Sequence, residues 1–343
     1  PATAARPLTT AQQAWIRALD RAKSVATRKP TFNTGTGIYR VFSPRAQGEY
    51  TVTPAVQGRR VEYACTCTAQ ARGLVCWHKA LVAACPIEVS RRNRAKAART
   101  RQEIIDATGN PHVDTALADL SVLQQVRDVA AEINAHYPRL DVLVNNAGLM
   151  FGAEREVSAD GNELTLATNH LGPFLLTSLL LDLLRKSPAA RIVNVASGAY
   201  RFSKPTLDDL QSERSYHPLW EYGNTKLFNI MFTQELARRL RSHGIANVVT
   251  NALHPGAVAT GFGSQSGGWL TAMTQLGRPF MISPTKGAET SIFLATDAHA
   301  GTVSGGYFAK KKAVPVKSHF NTPENARRLW ELSEQLTGTL FLP

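Results

Sequence analysis

The sequence predicts an α/β protein, a doubly wound parallel sheet preceded by a small N-terminal α+β module. Three observations carry that expectation. From residue 100 onward, short apolar runs alternate with longer segments of helical periodicity, as parallel strands and their crossover helices do. Ahead of that, three runs alternate apolar and polar residues in the manner of hairpin strands. The charge divides at the same place: residues 1–90 hold 12 Lys/Arg against 4 Asp/Glu, residues 91–101 add 6 basic and no acidic side chains, and the rest holds 21 against 22. The whole excess of +13 therefore sits in the first 101 residues, so two surfaces of different character share one chain. A chain of 343 residues exceeds one usual domain, and we divide it into modules at 1–88 and 89–343.

In the first module, residues 11–28 suggest a short helix, followed by the strands GIYRVFS, GEYTVTPAV and RRVEYACTC. Then come Cys65-Thr-Cys67, an eight-residue spacer, Cys76-Trp-His78, and a helix start at KALVAAC. All four cysteines fall between Cys65 and Cys85, and such local clustering favours a metal over a disulfide framework. Cys65, Cys67, Cys76 and His78 make the four ligands of a closed, structural Zn2+ site; the plainer reading is small buried thiols and a surface histidine. Residues 37–84 resemble the SWIM zinc-finger family, which implies a DNA or protein partner. The basic excess fits nucleic acid through phosphate contacts, and equally fits a solvated basic face.

In the second module HVDTALADLS reads as a strand ending at Asp119, and VLQQVRDVAAEINAHY as a helix. The strand LDVLVNNAG, a long helix over ELTLATNHLGPFLLTSLLLDLLRK and the strand RIVNVASG follow. A helix through EYGNTKLFNIMFTQELARRLRSHG leads into the strand NVVTNALHPG. Ligands of such sheets sit at the carboxyl ends of the strands, where the polar residues of interest fall. Tyr222 and Lys226, four apart on a helix, share a face. An ammonium beside a phenol favours the phenolate and fits the phenol for acid/base work near neutrality. Ser197, just after a strand, is placed to polarise a carbonyl oxygen.

The series Asn145-Asn146-Ala147-Gly148, Asn169, Ser197, Tyr222, Lys226 and His254-Pro255-Gly256-Ala257-Val258-Ala259-Thr260 resembles the short-chain dehydrogenase/reductase family over residues 90–340. Its flavour is similar to the retinol dehydrogenase branch, through NRAKA, TNHLG, DDLQSER, SGGYF and RRLWELSEQLTG. The resemblance implies an oxidoreductase of an alcohol/carbonyl pair using NADP(H). It makes Tyr222 the proton donor or acceptor, Lys226 the group that lowers the Tyr222 pKa and meets the nicotinamide ribose, Ser197 the orienter of the substrate oxygen, and Asn169 the holder of a relay water. It puts Asp119 at the adenine and Arg92 at the 2′-phosphate. Asn145, Ala147 and Gly148 would line the cofactor cleft, with Pro255, Gly256, Val258 and Thr260 around nicotinamide and pyrophosphate. On the residues alone, Asp119 reads as a cap and Asn169 as a residue satisfying a helix bend.

One expected motif is missing. A Thr-Gly-x-x-x-Gly-x-Gly turn should open the family's sheet and bring backbone to the pyrophosphate, and Thr34-Gly35-Thr36-Gly37 has the wrong spacing for it. The sheet is thus expected to be an incomplete Rossmann-like one. It would lack the central first strand, with unpaired inner edges costing about 1–3 kcal/mol per buried group. Two functions follow: an active oxidoreductase with a zinc module, or a catalytically inactive scaffold bearing a zinc-dependent binding module. A fusion of two fragments without joint function is the third reading. Residues 261–281, apolar and Gly-rich, would form a lid over a hydrophobic alcohol, aldehyde or ketone. We find no run of about 18 apolar residues and no signal-like start, and expect a cytoplasmic protein whose self-association stays open.

Overall fold

A computed structural model describes residues 94–256 and 282–343 in full, and the backbone alone of residues 31–33, 38–43, 48–57 and 60–65. Two compact units result, Pro1–Leu117 and Ala118–Pro343, a division later in the chain than the module boundary drawn at 88/89. Arg92, Val258, Thr260, Cys67, Cys76, His78 and residues 261–281 lie outside the described residues.

The first unit holds a four-stranded antiparallel meander: β1 (Thr31–Asn33), β2 (Ile38–Ser43), β3 (Gly48–Gln57) and β4 (Arg60–Cys65), in sequential order. The alternating runs are strands as expected, and β1 is an addition. Helix α1 covers 94–108. HVDTALADLS is not a strand. Residues 109–119 are largely exposed chain held by local turns, with His112 N donating to Asn110 Oδ1 and Val113 N to Pro111 O. A parallel strand exists only through its neighbours, and among the described residues none lies alongside this segment.

The second unit is built on β5 (Val142–Asn145), β6 (Ala190–Val195) and β7 (Val248–His254), parallel and adjacent. β8 (Tyr307–Ala309) continues the sheet in parallel, and β9 (Lys312–Ala313) turns back along it. The helices are α2 (Leu123–His136), α3 (Gly172–Arg185), α4 (Pro218–Ser242), α5 (Pro284–Thr296) and α6 (Pro323–Thr337). Alternation along β6 sorts its side chains: Ala190 and Ile192 pack with α3, α4 and α6, whereas Val193 and Val195 pack with Leu294 of α5. The sheet is thus covered on both faces.

The sheet begins, among described residues, at β5. Val144 on this strand is 42% exposed, unlike the buried residues of β6. Among the described residues β6 is the ladder partner of β5.

The apolar stretch Leu164–Arg185, passed over in the sequence, has the length and composition of a membrane-crossing helix, with mean hydropathy 1.3 in its best window. Yet 78% of that window is buried inside the body, as a core helix is. Its central partner is an aromatic cluster: Phe174 meets Trp330 at 5.0 Å and Phe341 at 5.5 Å, while Trp330 and Phe341 stack at 4.8 Å. The chain end is pinned over it by Arg239 Nη1 to Leu342 O and Phe341 N to Glu334 Oε1. Truncation of Phe341 to Ala empties the middle of this cluster, and we expect a loss of about 3–5 kcal/mol, read as an earlier urea midpoint with an unchanged slope.

Candidate active site

The carboxyl ends of β5, β6 and β7 each release one part of the site. After β6, Ser197 in extended backbone caps a short 3-10 turn, Gly198–Phe202. Helix α4 lies directly on that turn, and Gly223 is why it can. A Cβ at residue 223 would stand 2.8 Å from Ala199 O and 3.0 Å from Ser203 N, both backbone atoms with nowhere to go. The close approach puts the neighbouring Tyr222 in a side-chain hydrogen bond with Ser197. Met150 and Ala199 pack on the Tyr222 ring, which is almost wholly buried.

One turn further along α4, Lys226 is 2% exposed, with Nζ 5.4 Å from the centre of the Tyr222 ring. Its ammonium donates to Val195 O at 3.1 Å. Gly148, in the loop after β5, leaves room for it: a Cβ there would lie 2.7 Å from Nζ. Burial pulls Lys226 down to about 8. Burial also pushes Tyr222 up to about 12, with the Ser197 hydrogen bond opposing. This corrects the expectation of a lowered phenol. Both groups are taken out of water, so each favours its neutral form, and the ammonium is bonded to a carbonyl.

Asn169 is fully buried in a π-turn, Ala167–Leu171, which interrupts the predicted helix. Its side chain clamps the loop after β5: Oδ1 accepts from Leu149 N at 2.8 Å and Nδ2 donates to Leu149 O at 2.8 Å. Nδ2 also reaches Thr225 Oγ1 at 3.1 Å, tying the clamp to α4 between Tyr222 and Lys226. The Asn169 carbonyl, freed by the wider turn, accepts from Asn229 Nδ2 at 3.0 Å. The bend is thus satisfied by Asn229, and the Asn169 side chain serves the loop instead.

Asn145 is turned away from any cleft. Its Nδ2 donates to Thr177 Oγ1 at 3.0 Å and Asn194 Oδ1 at 2.8 Å, and Asn194 in turn reaches Thr233 and Thr250. This buried polar chain ties β5, β6, β7, α3 and α4 together. Ala147 is exposed and Gly148 half-buried, so that loop does present backbone to solvent beside Lys226. Asp119 is a cap: its Oδ1 accepts from Ser121 N and Oγ just ahead of α2. After β7, Pro255 and Gly256 are half-buried; Gly256 takes φ +99, a conformation that favours glycine. His254 Nδ1 accepts from Gly198 N at 2.9 Å, joining the ends of β6 and β7.

Tyr222, Ser197 and Lys226 are therefore together and Asn169 braces them, while Asp119 Oδ1 caps α2 and Asn145 Nδ2 joins the buried polar chain. Gly223 and Thr225 were missed, although Gly223 sits in plain view inside Tyr-Gly-Asn-Thr-Lys. At one end the residues present suit a nicotinamide cofactor: the Gly148 backbone lies against the Lys226 ammonium, and Pro255 and Gly256 follow β7, two strands along the sheet from β5. At the pyrophosphate end the sequence offers no glycine turn of the expected spacing. Among the described residues no group of three or more His, Cys, Asp or Glu can hold a metal.

Two effects oppose each other at Gly223. Helix propensity alone would make Gly223→Ala stabilising by about 1 kcal/mol, whereas a clash with fixed backbone costs about 1–3 kcal/mol. Because the atoms met are main-chain, we expect the clash to win. Gly223→Ala should unfold at lower urea than the parent chain; a higher midpoint would show that α4 does not depend on this contact.

Comparison with known proteins agrees with the site. Residues 73–270 match the short chain dehydrogenase family, a match that begins ahead of the 88/89 boundary and so includes Cys76 and His78. Retinol dehydrogenase 14 of Mus musculus is 40% identical over 267 residues, which are 73% of this chain and 77% of that protein. Retinol dehydrogenase 13 of Homo sapiens is 38% identical over 253 residues, 72% and 75% of the two chains. The solved structure of an uncharacterised protein from Mycobacterium paratuberculosis aligns with a TM-score of 0.54 at 30% identity, covering 70% of this chain and 81% of that one. The chain belongs to the short chain dehydrogenase family of oxidoreductases, and within it is similar to retinol dehydrogenases.

Proposed function

We propose that this chain reduces an apolar aldehyde or ketone to its alcohol with NADPH. The observation that carries the reading is the hydrogen-bonded Ser197–Tyr222 pair with Lys226 buried behind it. Bound NADPH supplies the hydride. The Ser197 hydroxyl orients the carbonyl oxygen, and the Tyr222 phenol gives that oxygen a proton. Lys226 then steadies the tyrosinate left behind, and Asn169 holds the loop that flanks the ammonium. Leu149, next to Met150 in the chain, and Phe202, at the end of the turn after Ser197, are exposed and would supply an apolar approach. The retinol in the relatives' names is an apolar alcohol, which agrees with that lining.

Burial pushes the Tyr222 phenol up to about 12, so at neutral pH it stands protonated, the form that reduction uses. The preference for NADP(H) rests on Arg92 as the partner of a 2′-phosphate, together with the basic run that contains it.

A zinc-bound N-terminal module is the second part of the proposal. Its support is the antiparallel meander, whose last strand β4 delivers Cys65 at its end, two residues before Cys67. Cys65, Cys67, Cys76 and His78 would close the zinc, and the basic excess would serve a nucleic-acid partner. If such a module acts through an inactive oxidoreductase body, turnover is absent while one zinc per chain remains.

With NADPH and a medium-chain aldehyde, the parent chain should turn over and Tyr222→Phe should lose at least about a hundredfold, the usual worth of general acid catalysis. Lys226 loses its proton above about 8. Reduction should therefore slow as pH rises through 8, and Lys226→Met should be slow throughout and lack that limb. Equal rates for the parent chain and Tyr222→Phe would discard the assignment.

A further inference from the structure

A second cavity lies on another stripe of α4. Glu221, Asn224 and Phe228 recur at i, i+3 and i+7 and share a face about a third of a turn from Tyr222 and Lys226. They border a cavity of about 210 Å³, whose remaining polar lining includes Lys204, Asp209, Ser212, His217 and Trp220.

Glu221 is the unusual member. Its side chain is 2% exposed. Oε2 accepts from Ser212 Oγ at 2.6 Å and from Asn224 Nδ2 at 3.3 Å. Oε1, equally buried, has no hydrogen-bond partner, and neither has His217 Nδ1. A first-turn carboxylate complements the helix dipole, which accounts for an acid at this position but leaves its second oxygen unexplained. Buried polar atoms in native proteins are nearly always bonded.

The surroundings select a sign. Glu163, Asp209 and Tyr216 face Glu221, and their charges raise it or are raised by it, while Lys204 is the only cation in the lining. The Lys204 ammonium already rests 3.8 Å from the centre of the Trp220 ring, against which His217 stacks at 4.6 Å. An aromatic face beside buried carboxylate is a cation site, and this chain lends it a cation of its own. An anion would be repelled by three acids. A neutral apolar molecule would leave Glu221 Oε1 dry and unbonded. A metal ion lacks ligands, since no group of three suitable side chains exists among the described residues.

We propose that this cavity binds a small organic ammonium ion, whose N–H donors reach Glu221 Oε1 and whose charge displaces Lys204 from the Trp220 ring. The site is separate from the reacting Tyr222 and does not depend on the function assigned to it. Cation binding requires the carboxylate, and burial with the nearby Glu163 pushes Glu221 up to about 7. Occupancy therefore grows as pH rises through 7.

The test is calorimetric titration of the full chain with methylammonium and tetramethylammonium chloride, at constant ionic strength against sodium chloride. We expect saturable methylammonium binding at pH 8.5, weaker by about thirtyfold at pH 5.5. Tetramethylammonium, which has no N–H, should bind more weakly. Lys204→Met removes the internal competitor and should bind several times more tightly, and Glu221→Gln should not bind. Should Glu221→Gln fail to fold by near-ultraviolet circular dichroism, Lys204→Met decides. No saturable heat from either the parent chain or Lys204→Met overturns the proposal, as does binding of undiminished strength in folded Glu221→Gln.

Discussion

Helix α4 can serve the site only because it lies in backbone contact with the turn after β6, and the contact exists because residue 223 has no side chain. That single approach sets the Tyr222–Ser197 hydrogen bond, since the two residues flank it. It also fixes Lys226, one turn on, at the height of the β5 loop, where Gly148 makes room for the ammonium. The remaining contacts keep these distances. Thr225, between Tyr222 and Lys226, accepts from the same Asn169 amide that holds Leu149. The polar chain from Thr177 through Asn145 and Asn194 to Thr233 then ties α3, the strands and α4 together below the site. A buried network of this kind is stable only when each member is satisfied, and the bonds among Asn145, Asn194 and their threonines meet that condition.

The elements that were legible in the sequence are those where composition and position agree. β5, β6 and β7 are short apolar runs, each followed by polar residues and then a helix, and α2 and α4 keep their apolar residues at helical spacing. The antiparallel meander was legible from alternation and from the Gly and Pro between its runs. HVDTALADLS misled because its apolar residues alternate like a strand's, while a strand's existence is decided by partners that lie elsewhere in the chain. The π-turn at Asn169 left no trace, since a one-residue widening does not change which residues are apolar. Asp119 and Asn145 carried the right residue type for a ligand site, yet a carboxylate suits a helix cap equally well and an amide suits a buried network equally well. Glu221 reads as a surface acid on any periodicity, and only the packing of residues 203–217 over it shows that it is buried.

Burial has the same cause on both stripes of the first turns of α4 and opposite consequences. At Tyr222 it stops a phenol from ionising, which suits proton donation, and a hydroxyl partner is already in place. At Glu221 it raises a carboxyl whose second oxygen has no partner. One helix turn thus carries two acids, both raised by desolvation, one satisfied and the other not. The helix dipole favours the ionised form of each by no more than about 1–2 kcal/mol, too little to reverse a shift of the size seen at either residue.

The edge at β5 bears on how a cofactor can be held. A sheet lacking a central strand would be expected to suffer buried, unpaired backbone on both sides of the gap. Among the described residues β5 has β6 as its ladder partner, and its Val144 is 42% exposed. Stability of the described sheet is therefore supplied from the other direction, by the ladder from β5 to β8 and by the aromatic cluster of α3, α4 and α6. The loop that follows β5 has to be fixed by something other than the strand itself. Asn169 fills that role, bonding both backbone groups of Leu149 from a turn braced against α4. The loop after β5 is accordingly positioned by the segments that carry Asn169 and Tyr222, which keeps it in register with Tyr222 and Lys226.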